Sequence, residues 1–261
     1  MSVESSDHDK YRIVIYSELN DPRALSRIFE QELNRAPRDA SVWIHHIPGV
    51  LNEDFARDKA ENLASAMRSI GLRVSVILRA DIPNLHQAIV VLHPCCTDEG
   101  LQLIEPAGHS SAVIPWSAMQ MVCVGEVAPN VLRRHPPTIP VIPPTGHHYQ
   151  RPAIDVPFTP LHEAWITCQP PFPHLRFDQD RMNFEDLGSR QVDSAATNFR
   201  QFIQDVIAHA PAVFVPECTR AFLDHDQERQ HQFKNSEALL HYATLQTLLA
   251  REKLIQLSPT A

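Results

Sequence analysis

A chain of 261 residues with 43% apolar side chains is long enough for one large domain or two to three small ones, and it can fill ordinary packed cores, so disorder throughout is excluded. Lys and Arg total 23 against 31 Asp and Glu, a formal charge of −8, and the longest basic run is Arg133-Arg134, which leaves no electrostatic footprint for a nucleic-acid backbone. The polar, acidic start MSVESSDHDKYR lacks the basic flank and apolar core of a signal peptide, and no stretch approaches about 18 uninterrupted apolar residues. The expectation is a cytoplasmic protein with no membrane contact.

YRIVIYSEL carries the β-branched and aromatic residues of a strand. NDPRALSRIFEQELN follows as a helix, with Asn20 or Asp21 able to cap it, Pro22 in its first turn, and Leu25, Ile28, Phe29 and Leu33 along one face. SVWIHHI reads as a second strand. NEDFARDKAENLASAMRSIG then reads as an amphipathic helix capped by Asn52, with Glu53 and Asp54 at its positive end and Gly71 terminating it. LRVSVIL is expected as a third strand, with Leu72, Val74, Val76 and Leu78 on one face.

The run RIVIYS, the helix after it, and APRDASVWIHHIPGVLNEDFARDKAENLASAMRSIGLRVSVI together resemble the C-terminal domain of the bacterial ribosomal stalk protein, a fold shared with the adaptor of the Clp protease. The resemblance spans roughly residues 10–79. It rests on an acidic-capped helix with alanine in its middle, glycine at its end and a V-x-V strand behind it. It implies a small α/β module. The stalk domain recruits translation factors through a helix start rich in Gly and Lys, whereas the matching stretch here, NDPRALSRIFEQELN, has neither residue.

AIVVLHPCC, the turn DEG with Gly100 able to supply a positive φ, and LQLIE read as a β-hairpin; PAGHSS turns into AVIPW, and SAMQMVCVGEV suits a buried strand or a short helix passing into one. Within this stretch His93, Cys95, Cys96 and His109 raise a metal or thiol site. Adjacent cysteines on a strand point to opposite faces, so at most three ligands converge where structural zinc normally takes four. A catalytic thiol needs a base that the sequence does not locate. Five cysteines (Cys95, Cys96, Cys123, Cys168, Cys218), odd in number and without CxxC spacing, are expected to be reduced thiols. The pairs His45-His46 and His147-His148 lack the i, i+4 helical spacing of a zincin.

Of 22 prolines many crowd between Pro129 and Pro173, and residues 129–160 read as a semi-rigid connector of polyproline II character. Beyond it WITCQ and LRFDQD are expected strands around a PPFP turn, and SAATNFRQFIQDVIAHAP is a helix capped by Ser194 that buries Phe199, Phe202, Ile203, Val206 and Ile207. FLDHDQERQHQFKN reads as a polar loop or frayed helix. A final helix from Ser236 carries Leu239, Leu240, Ala243, Leu248 and Leu249 as its apolar stripe. IPWSAMQMVCVGEV, FDQDRMNFEDLG and NFRQFIQDVI together resemble multi-module proteins of planctomycete-type bacteria, a resemblance that implies no activity.

The reading is an α+β protein with a stalk-like module at 10–82, an antiparallel β unit at 86–128, the connector at 129–160 and an α+β module at 161–257. No GxGxxG, P-loop, GxSxG, HExxH or zinc-knuckle spacing occurs, so no catalytic, cofactor-binding or metal residue is assigned and no cofactor is expected. The expected function is non-catalytic protein interaction or regulation with a protein partner. The alternatives are a small-ligand sensor or an enzyme using the scattered His and Cys residues. Oligomeric state is left open.

Overall fold

The computed structural model describes residues 10–34, 43–44, 47–104, 110–128, 161–226 and 232–257. Strand β1 (Tyr11–Ile15) leads into helix α1 (Pro22–Leu33), where the Asp21 carboxylate accepts from the Arg23 and Ala24 amides at 2.9 and 3.1 Å and Pro22 opens the helix. Strand β2 (Gly49–Val50), helix α2 (Arg57–Ser69) and strand β3 (Val74–Leu78) complete an antiparallel sheet of order β2-β1-β3. Gly71 lies at φ +89° just beyond α2, where only glycine adopts the backbone freely.

Two local expectations fail here. Within SVWIHHI, Trp43 and Ile44 are helical rather than extended, with the Trp43 ring edge-on to Phe29 of α1 at 5.0 Å, and the ladder to β1 is made by the residues after Pro48. Asn52 does not cap α2, which starts later behind Ala56 with no side-chain cap. Residues before it are spent on the sheet. Phe55 exchanges two backbone hydrogen bonds with Tyr11, and Asp54 is gripped by Arg12 and Arg79.

The AIVVLHPCC run divides between two sheets. Strand β4 (Ile89–Val90) lies parallel to β10 (Leu175–Asp178), whereas β5 (Pro94–Cys96) forms the expected hairpin with β6 (Gly100–Ile104), to which β7 (Ser110–Pro115) adds. Gly100 has no positive φ. Its role is close approach, since a Cβ there would meet the Ile114 carbonyl oxygen at 2.3 Å. A 3₁₀ turn at Trp116–Ala118 passes into β8 (Met119–Val127), which pairs along its length with β9 (Leu161–Cys168).

The β unit expected at 86–128 therefore does not stand by itself. β8 and β4 share one five-stranded sheet, β11-β8-β9-β10-β4, with strands from beyond residue 160, including β11 (Gln232–Phe233). Alternation shows that a strand is half buried but not which strand it pairs with. Helix α3 (Ala195–His209), capped by Ser194 as expected, places Phe199, Phe202, Ile203 and Val206 on one face of this sheet, against Val122, Val124, Ile166 and Phe177. A short helix α4 (Glu217–Leu223), not anticipated from sequence, packs beside β8. The connector at 129–160 lies outside the described residues.

Helix α5 (Ser236–Leu257) covers the other face of the large sheet through Leu239, Leu240 and Ala243, which meet Met121, Cys123 and Trp165. Its opposite side presents Leu245 and Leu248 to Val14 and Tyr16, with Val50 and Ile77 packed against them. The order of layers is α1/α2, small sheet, α5, large sheet, α3. The fold is α+β, and among the described residues no helix is long and apolar enough to cross a membrane.

Leu248→Ala should destabilise the protein by about 2–5 kcal/mol, the range for a truncated buried leucine. Urea denaturation gives the magnitude, and amide exchange should show the loss in β1 and β3 as well as in α5. A loss confined to α5 would show that the small sheet does not depend on the helix.

Candidate functional site

The hairpin, the 3₁₀ segment Glu185–Arg190 and α3 bring Cys96, one of the thiols singled out by sequence, together with charged side chains that the sequence did not mark. The Trp116 indole donates to the Thr97 carbonyl at 2.9 Å and stacks on His209, ring centres 5.0 Å apart at 24°. His209 Nδ1 donates to the Asp205 carbonyl at 2.8 Å, and Arg190 binds the Asp205 carboxylate through both terminal nitrogens at 2.9 and 2.6 Å. Cys96, Asp186, Arg190, Asp205 and His209 border a cavity of about 140 Å³ that Phe184 and Phe202 also line. His93 lies apart from it, with Nδ1 3.5 Å from the Asn183 amide nitrogen.

Burial pushes the Cys96 thiol up to about 12, and the Asp205 charge adds to it; Cys95 is raised by burial and then by Asp186. Both keep their protons near neutral pH. A nucleophilic cysteine needs the opposite, a cation or helix N-terminus stabilising thiolate. Arg190, the cation of this cavity, already holds Asp205 in a bidentate grip. Among the described residues no three His, Cys, Asp or Glu side chains are disposed to hold a metal. His109, His45-His46 and His147-His148 lie outside the described residues.

All five cysteines are free. No sequence pattern hints that Cys123 and Cys218, 95 positions apart, meet with sulfurs at 3.8 Å beneath α5. Burial raises Cys123 well above the ordinary thiol value.

A larger concavity lies between the small sheet and α5. It measures about 1200 Å³, beyond the roughly 300–1,000 Å³ typical of small-molecule pockets. One wall is the small sheet, with Tyr16 and the consecutive residues Ile47–Asn52, while the other is α5, with Tyr242, Gln246 and Leu249 bordering the space. Arg12 and Arg79 stand at one end, both bound to Asp54 at 2.7 Å, and the hydrogen bond from Arg12 holds that carboxyl below the usual range. Glu18, past the far end of β1, and Glu237 supply the acidic side chains, the latter 3.2 Å from His241 and 3.8 Å from His86. No local motif marks this cleft, because its walls are far apart in sequence.

Two histidines, His162 buried and His174 half-buried, set a pH response. Burial lowers His162, which shares a 2.8 Å hydrogen bond with Gln179, and lowers His174. A depressed folded pKa adds stability above the unfolded value of about 6.5 that is lost as pH falls through the folded value. Glu163, raised by burial, acts in the opposite sense and offsets part of this. Stability to urea should therefore fall as pH drops from about 7 toward 5, and His162→Asn should flatten the slope; an unchanged slope in that variant would remove His162 from the account. Native alkylation followed by peptide mass analysis should label Cys95 first and leave Cys123, Cys168 and Cys218 unmodified until denaturant is added. Labelling of Cys123 in the folded protein would contradict the packing beneath α5.

No family model, no curated protein and no solved structure matches this chain, so its function is argued from its own geometry.

Proposed function

We propose that this is a non-catalytic cytoplasmic protein that acts by protein interaction or regulation, and that its partner binds in the cleft between the small sheet and α5. The supporting observation is the cleft itself: about 1200 Å³, walled by aromatic and aliphatic side chains and edged by charges of both signs. Protein interfaces have this composition, with tyrosine and tryptophan inside and charge at the rim. The stalk-like resemblance agrees with an adaptor role without supplying a partner. Cys95 and Cys96, held protonated, weigh against the reading in which scattered thiols do chemistry.

Filling the cleft tests this. Gln246→Trp places a large ring on its α5 wall. A partner captured from the source cells by the full chain and then purified should bind wild type with one-to-one stoichiometry by titration calorimetry, and the variant should bind about tenfold or more weakly, a loss of about 1.4 kcal/mol. Equal affinity for both proteins would place the interaction elsewhere.

A further inference from the structure

We propose that the outer edge of β2 receives an extended peptide of the partner as an added strand, with a carboxylate side chain of that peptide set against Arg12 and Arg79. This rests on the cleft being the interaction site and names how it is used. β2 is the end strand of its sheet. Ile15 pairs with Gly49, Val14 with Val50, and the Leu51 amide donates to the Ile13 carbonyl at 2.8 Å. Hydrogen bonding alternates along an antiparallel ladder, so the Val50 N–H and C=O point away from β1. Within the described residues neither has a partner.

Two other strands have groups at their open sides engaged within the chain. Along β8, beside its short pairing with β11, Phe214 exchanges backbone bonds with Gln120 and Val122, while the Thr219 hydroxyl accepts from the Val124 amide at 2.8 Å and donates to the Val122 carbonyl at 3.1 Å. At β3, Arg68 Nε donates to the Val74 carbonyl at 3.1 Å. Proteins manage such edges because an unpaired one templates strand addition. β2 alone among these three faces the cleft, and residues Ile47–Asn52 line it in unbroken succession.

Charge selects the occupant. Arg12 and Arg79 bring two guanidinium groups to a single carboxylate, Asp54, and the Arg79 side chain is 48% exposed. These three side chains together carry one net positive charge. A strand lying along β2 presents alternate side chains to one face, so an acidic residue can reach the arginines while apolar residues meet Tyr16 and Tyr242.

The full chain is panned against a random dodecapeptide library, and the selected peptides are synthesised. The expected peptides carry Asp or Glu, protect the Val50 amide from exchange, and lose about tenfold or more in affinity when backbone N-methyl groups are placed at alternate positions, with the intervening positions tolerant. Arg79→Gln should weaken acidic peptides and leave their amide analogues unchanged. Val50→Pro, which removes a donor that β1 does not use, should abolish binding; the methylation pattern serves equally if that variant folds poorly. Cleft binders that Gln246→Trp disrupts but that show no alternate-position pattern would sink strand addition while leaving the proposed function standing. Failure of any peptide to bind the cleft would sink strand addition, and a purified partner indifferent to Gln246→Trp would sink the proposed function with it. A dimer that Val50→Pro converts to monomer would overturn the proposal in favour of a second copy of β2.

Discussion

Helix α5 has almost no solvent side along its middle, and the arrangement of the remaining elements follows from that. Leu239 and Ala243 are fully buried against the large sheet, while Leu245 and Leu248 are buried against the small one. A helix apolar on two sides cannot sit at the surface of a single layer; it must lie between two. Its polar groups are arranged to fit. Thr244 and Thr247 return their hydroxyls to the Leu240 and Ala243 carbonyls, at 2.9 and 2.8 Å, so neither hydroxyl is left unpaired in the interior.

Near the end of the same helix Arg251 joins three parts of the chain. It donates to the Asp81 carbonyl at 2.6 Å and to Gln120 Oε1 at 2.9 Å, linking the segment after β3 to the start of β8. Ser75 Oγ also donates to Glu252, at 3.4 Å. Polar contacts thus fix the orientation that apolar packing leaves adjustable.

What the sequence made legible was punctuation. Asp21-Pro22, Ser194 and Gly71 mark helix ends by chemistry that acts within a few residues, and each is found in its expected role. The hairpin around Cys96 was legible for the same reason. Pairings across long separations were not: β8 with β9, or Asp54 with Arg12 and Arg79 at separations of 42 and 25 positions. Asp54 shows why. Beside a helix start an acidic residue reads as a dipole partner, and only the fold reveals two guanidinium groups close enough to claim it. The cleft belongs to this second kind, since each wall taken alone is an ordinary amphipathic element.

The pairing of Val127 with Leu161 has a topological consequence. Adjacent antiparallel strands can be joined by two residues, yet here residues 128–160 make the join. Register along β8 and β9 is set by their own side chains, so the ladder does not depend on the length of what connects them. Loop closure grows only logarithmically with length, about 0.6 kcal/mol for each doubling. On that scaling the pairing of β8 with β9 tolerates a change in the length of the join at small thermodynamic cost.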